Sequence, residues 1–270
     1  MELALTEKTA IVTGGSQGIG RAIAASLATE GASVVIAART NPEAAAAEIE
    51  ETAASASGNV LGVAADVTDP DDVDRLVETT LEAYGEIDVL VNNVGIVGSE
   101  RPFHEIPDEE WNRVLETNIM STVRVTRTVL SHMRDRGSGS IINITSEAGT
   151  QPDPFKTHYD ASKAAMINMT KNLSKTYGEE GIRVNAVSPA TTKTPLVEDI
   201  FEERAEETGK PIERVEQAFL EEEKPGVVTG RLGKPEDVGN VVAFLASDKA
   251  EFVHGANWRV DGGSIWTMDA

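Results

Sequence analysis

Tyr159-Asp-Ala-Ser-Lys163 carries a phenol and an ammonium four residues apart, a spacing that puts both side chains on one face of a helix. A free phenol has a pKa near 10, so only about one in a thousand is ionised at neutral pH. An ammonium about 4 Å away contributes up to ~4 kcal/mol at an effective dielectric of 20, before desolvation is subtracted. That would lower the phenol by as much as ~3 units, towards the range useful for general acid–base work. The expected chemistry is proton donation by Tyr159 to a carbonyl oxygen, or the reverse from an alcohol. Ser146, thirteen residues before the tyrosine and at the end of an apolar run, would hydrogen-bond the same oxygen. His158 adjoins the tyrosine, but its position on the helix turns its side chain elsewhere. Packing is the expectation for Trp111.

A second group of residues has the pattern of a phosphate cradle. Thr13-Gly-Gly-Ser-Gln-Gly-Ile-Gly20 follows a short β-branched run and precedes an Ala-rich one. Glycines at 14, 18 and 20 let the backbone turn sharply and approach a pyrophosphate, whose charge then faces a helix N-terminus. No Gly-Lys-Ser/Thr follows, which argues against a triphosphate-binding loop. The next strand ends Ile36-Ala-Ala-Arg39-Thr40, with no acid until Glu43. An acid there would hold a ribose 2′-hydroxyl, whereas an arginine accommodates a 2′-phosphate. NADP(H) is therefore expected to be preferred over NAD(H), although Gln17 adds no second positive charge.

The elements that must position these groups are legible as alternating patterns. Short apolar strands are expected at 9–13, 33–37, 60–64, 89–91, 140–144, 183–187 and 258–260. Between them the 3.6-residue period predicts helices at 21–30, 72–84, 109–134, 160–177 and 235–246. Strands apolar throughout and separated by crossover helices imply a parallel sheet covered on both faces. The expected fold is α/β: one Rossmann-type, doubly wound domain spanning 1–270, since no linker divides the chain. Residues 191–230 break the pattern. From Glu198 to Lys224 they carry eleven acids against four bases and read as one or two charged helices, either a substrate lid or a solvated excursion.

In this order and spacing, the glycine loop and the Ser146–Tyr159–Lys163 set resemble the short-chain dehydrogenase/reductase family over essentially the whole chain. Asn92-Asn-Val-Gly95, Asn118, Arg231-Leu-Gly-Lys-Pro-Glu-Asp-Val238, Phe244-Leu-Ala-Ser-Asp248 and Val260-Asp-Gly-Gly263 extend the resemblance. Two positions depart from it: Ala190 replaces the Gly that usually follows Pro189, and Val94 replaces the commoner Ala. The resemblance implies a nicotinamide-dependent oxidoreductase interconverting a ketone and a secondary alcohol. It also implies that Lys163 holds the nicotinamide ribose and that Asn118 fixes a water on the proton path. Cofactor contacts are implied at Gly14, Ser16, Gln17, Gly18, Ile19, Gly20, Arg39, Asp66, Val67, Asn93, Gly95, Tyr159, Lys163, Pro189, Thr192 and Thr194. The polar, proline-broken stretch Glu147–Phe155 keeps a sugar or polyol dehydrogenase open as an alternative. A dinucleotide-sensing regulator has no need of the Ser-Tyr-Lys set, whose intactness favours the enzyme.

The resemblance further implies a homotetramer. Met120, Val123, Met166 and Met169 exceed a sheet-facing stripe on the helices that pair in the family, and the tail Ser264-Ile-Trp-Thr-Met268 is apolar enough to be buried against a neighbour. Alternatively, that tail folds back over its own active site. With 45 acidic and 24 basic residues the net charge is −21, which disfavours nucleic acids and anionic membranes. A solvated acidic surface explains the excess, as does adaptation to high salt, lysine being scarce. The absence of cysteine and the scattering of four histidines argue against a metal site. There is no basic leader and no apolar run of about 18 residues, so a cytoplasmic protein is expected.

Overall fold

Every apolar run named above becomes a strand of a single sheet. In this computed structural model, which describes residues 3–53 and 58–267, the strands are β1 (Thr9–Thr13), β2 (Ser33–Ala38), β3 (Val60–Ala64), β4 (Val89–Asn92), β5 (Gly139–Ile144), β6 (Ile182–Pro189) and β7 (Asn257–Val260). All pairs are parallel, in the order β3-β2-β1-β4-β5-β6-β7. The helices are α1 (Gly18–Thr29), α2 (Pro42–Thr52), α3 (Pro70–Tyr84), α4 (Asp108–Leu115), α5 (Ser121–Arg136), α6 (Thr157–Tyr177), α7 (Pro195–Thr208), α8 (Ile212–Glu222) and α9 (Pro235–Ala246). Alternate side chains of each strand enter opposite layers. Val12 and Ile36 pack with Leu27 of α1 and Val242 of α9, while Ile11 and Val35 pack with Leu76 of α3 and Val129 of α5.

Three elements differ from the sequence expectation. The first helix starts at Gly18, inside the glycine loop. Helix α2 was not foreseen, because its Ala-rich run has little amphipathic contrast; the signal present was Asn41-Pro42, with proline in the first turn. The helix expected over 109–134 is broken by a π-helical turn at Glu116–Met120. Such turns insert one residue and re-aim a side chain, often at functional sites. Asn118 lies in this one and is fully buried.

Strand order reverses between β1 and β4, and in open α/β sheets ligands bind outside the carboxyl ends at that point. A buried amide relay fixes those ends. Asn92 Nδ2 donates to Thr126 Oγ1 at 3.0 Å and to Asn143 Oδ1 at 2.9 Å, and Asn143 Nδ2 donates to Thr170 Oγ1 at 2.8 Å. Among the described residues no helix is long and apolar enough to cross a membrane.

Candidate active site

A cleft of about 930 Å³ opens at the reversal point. Gly14, Ser16, Gln17, Gly18, Ile19, Gly20, Arg39, Asp66, Val67, Asn93, Gly95 and Thr194 form its walls, so most of the implied cofactor contacts converge there. Gly14 and Gly18 take φ of +66° and +53°, and a Cβ on Gly20 would collide with the carbonyl oxygen of Gly14. Helix α1 begins here with no side-chain cap, which leaves its first N–H groups to a ligand. These features fit the pyrophosphate of a dinucleotide. Asn93 braces the cradle, its Nδ2 donating to the carbonyls of Thr13 at 2.9 Å and Gly14 at 3.2 Å.

At the adenosine end, Arg39 is 77% exposed and stands 4.0 Å from Asp66. Asp66 accepts hydrogen bonds from the Thr68 backbone and hydroxyl, which hold its carboxyl below the ordinary range. Thr40, Asn41 and Glu48 also line this end and were not anticipated. Asn41 has a left-handed φ of +48°, a conformation its short amide tolerates. The Asn-Pro pair was again the signal available.

Ser146, Tyr159, Lys163, Pro189 and Thr192 are not walls of this cleft. Gly95 links the two regions: a Cβ built on it would lie 3.2 Å from Lys163 Nζ and 3.4 Å from Asn118 Oδ1. Asn118 Oδ1 accepts from the Ile96 amide at 2.8 Å, and Nδ2 donates to the Ile96 carbonyl and to Ser162 Oγ at 3.0 and 2.9 Å. The π-helical turn thus clamps the loop after β4 onto α6. Ser146 caps the turn that follows β5, its Oγ accepting from the Ala148 amide at 3.2 Å, and its side chain acts to lower the Tyr159 phenol. Ala190 lacks a positive φ, so the family's usual glycine is not required at that point.

The electrostatics correct one expectation. Tyr159 and Lys163 do share a helix face, but the phenol's pKa is raised rather than lowered. Burial is the main cause; the Ser146 hydrogen bond opposes it, and Asp160, Glu147 and Asp153 add to it. Lys163 Nζ lies 5.8 Å from the centre of the tyrosine ring and donates to the Ile144 carbonyl at 3.0 Å. Among the described residues it has no carboxylate partner, and burial lowers its own pKa to about 8. The assumed close ammonium is therefore turned to the end of β5.

His158 is buried away from the reacting face, against Trp111 at 5.9 Å between ring centres and 3.5 Å from Glu110 Oε1. The 191–230 segment forms α7 and α8, which share a small core of Phe201, Val215 and Leu232. Pro195 and Leu196 of α7 reach the cleft, and Thr194 packs on Gly18.

A family model described as enoyl-(acyl carrier protein) reductase matches residues 14–264. The cis-4-hydroxycyclohexanecarboxylate dehydrogenase of Sinomonas cyclohexanicum is 38% identical over 96% of this chain and 97% of its own length. The crystal structure of L-sorbose reductase from Gluconobacter frateurii, complexed with NADPH and L-sorbose, superposes with a TM-score of 0.92. It is 34% identical, and the match covers 99% of this chain and 100% of that one. A 3-ketoacyl-(acyl-carrier-protein) reductase from Brucella melitensis, complexed with NADH, gives a TM-score of 0.82 at 31% identity over 97% of this chain and 100% of that one. The chain belongs to the short-chain dehydrogenase/reductase family. It is an NAD(P)-dependent oxidoreductase of the class that interconverts ketones and secondary alcohols by hydride transfer.

Proposed function

We propose that this enzyme reduces a small, uncharged ketone with NADPH, with Tyr159 as proton donor and Ser146 orienting the carbonyl oxygen. The observation that carries this reading is the placement of Lys163 and Asn118 directly behind Gly95, a wall of a dinucleotide-sized cleft, with Tyr159 on the same helix face as Lys163. When bound, the reduced nicotinamide supplies the hydride. Tyr159 gives its proton to the carbonyl oxygen as the alkoxide develops, and the Ser146 hydroxyl shares that charge. Burial keeps Tyr159 protonated at neutral pH, the form that reduction needs; alcohol oxidation needs the phenolate and accelerates as pH rises. Lys163, beside Gly95, would hold the nicotinamide ribose, while Asn118 keeps α6 and the loop after β4 in register and fixes a water on the proton path. Pro189, Thr192 and Thr194 would border the nicotinamide, and the 191–230 insert would act as the substrate lid.

Arg39 favours NADPH by supplying a cation for the 2′-phosphate, although Asp66 offsets part of its charge. A sugar or polyol substrate is the second reading, favoured by the polar side chains of Glu147, Gln151 and Asp153 after Ser146. The active form is a homotetramer, a reading supported by exposed Met120 at the end of the π-helical turn and by Trp266, 73% exposed on the C-terminal tail. The test is NADPH oxidation against a panel of cyclic ketones and ketoses, with the wild type and Tyr159→Phe side by side. Turnover by the wild type alone is the expected result, and equal turnover by both removes Tyr159 from the mechanism.

A further inference from the structure

Three carboxylates crowd the proton donor, and one lysine from the insert answers them. Glu147 directly follows Ser146 and is 5% exposed; its Oε1 accepts from Lys224 Nζ at 2.9 Å, while Oε2 has no hydrogen-bond partner. Asp153, on the loop leading to α6, takes the same ammonium with both oxygens, at 2.9 and 2.7 Å. Asp160, next to Tyr159, is buried with neither carboxylate oxygen hydrogen-bonded. Lys156, the other cation on that loop, is committed to Glu100 at 2.9 Å.

The Lys224 side chain is only 13% exposed, and its backbone is fixed to the end of α8 by an N–H donated to the Phe219 carbonyl at 3.0 Å. One ammonium therefore ties the insert to the residue beside Ser146 and to the loop that leads into Tyr159. A buried ion pair of this kind contributes little net stability but is costly to break from one side, because uncompensated charge stays behind.

We propose that Lys224 is a positioning residue for proton transfer: carried on the insert, it is the counter-ion that holds Glu147 and Asp153 in place beside Ser146 and Tyr159. The inference rests on the assignment of Tyr159 as the proton donor. Seating the insert and poising the donor then become one event. With Lys224 away, Glu147 and Asp153 repel each other, the turn after Ser146 shifts, and the negative field at the phenol grows. The groups facing this neighbourhood are Glu147 from the turn after β5, Asp153 and Lys156 from the loop, Asp160 and Lys163 from α6, and Lys224 from the insert. Glu147, Asp153 and Asp160 all act to raise the phenol's pKa.

The experiment is steady-state ketone reduction with NADPH by the full-length enzyme, from about pH 6 to about pH 12, for wild type, Lys224→Met, Lys224→Arg and Asp153→Asn. Lys224→Met should lose roughly tenfold or more in kcat with the KM for NADPH unchanged. Its alkaline limb should move up by about one pH unit, because a cation has gone from beside the carboxylates. Lys224→Arg should recover both, since a guanidinium can span the same two acids. Asp153→Asn should move the limb the other way, and it carries the test alone if Lys224→Met does not fold. A limb that stays in place in the folded variants overturns the inference, as does an arginine variant no better than methionine. Wild-type turnover by Tyr159→Phe would instead overturn the proton-donor assignment on which it rests.

Discussion

Arg39 and Asp66 face each other at the adenosine end of the cleft, 4.0 Å apart, and the proposed preference for NADPH rests on Arg39. A charge-assisted hydrogen bond to a phosphate is worth about 1.5–3 kcal/mol. Arg39 is largely exposed, so solvent screening argues for the lower end. Arg39→Ala should therefore raise the KM for NADPH about tenfold and leave that for NADH nearly unchanged. Initial rates with each cofactor decide it, and equal effects make Arg39 an ordinary surface residue. The candidate set was legible at this scale as a pattern, because the i,i+4 spacing of Tyr159 and Lys163 and the position of Ser146 are local features. Its electrostatics were not. Of the carboxylates that raise the phenol, Asp160 adjoins it on α6 while Glu147 and Asp153 arrive from the turn after β5 and the loop before α6, and the Lys163 ammonium finds the Ile144 carbonyl, a partner no spacing rule reveals.

At the scale of elements, the insert is a satellite with its own small core. Phe201 and Phe219 meet edge-on at 5.3 Å, and Phe201 is buried with Val215 and Leu232. Truncating a buried phenylalanine costs about 3–5 kcal/mol. Phe201→Ala should unseat α7 and α8 while leaving the main sheet intact. Hydrogen exchange should lose protection in 195–222 alone, and the KM for the ketone should rise; loss of protection across β1 and β4 would mean that the insert is part of the main core instead. The sequence pattern foretold helices in this segment, since charge without alternation excludes a strand. It gave no sign of the π-helical turn at 116–120, because one inserted residue leaves the apolar period nearly unchanged while rotating Asn118 into the loop after β4.

For the whole molecule, the parallel, doubly wound sheet followed from the alternation of runs and crossovers, whereas assembly surfaces are only partly readable. Met166 is a correction: it is fully buried within its own subunit beneath Lys163, leaving Met120, Val123 and Met169 on the helix faces available for pairing. The tail departs from one of its two sequence expectations, since it does not bury Trp266 within its own subunit. Ile265 is buried in its own chain, Gln151 holds the tail through the Ser264 carbonyl and the Trp266 amide, and the Trp266 ring stays exposed; Met268 lies outside the described residues. A net charge of −21 opposes association at low ionic strength. The Debye length falls from about 30 Å at 0.01 M to about 3 Å at 1 M salt, so light scattering should find a tetramer that strengthens as salt rises. A monodisperse monomer throughout contradicts the assembly and leaves the chemistry untouched.

The central claim is that one phenol moves the proton while a separate cradle binds the dinucleotide. The most direct measurement pairs two readings on Tyr159→Phe: NADPH affinity by fluorescence titration, and single-turnover ketone reduction. Removing a general acid costs typically about 10²–10⁴ in rate, and this substitution leaves every wall of the cleft in place. The expected result is wild-type NADPH binding with single turnover slowed by that factor. Reduction at the wild-type rate, or binding lost together with turnover, contradicts the account.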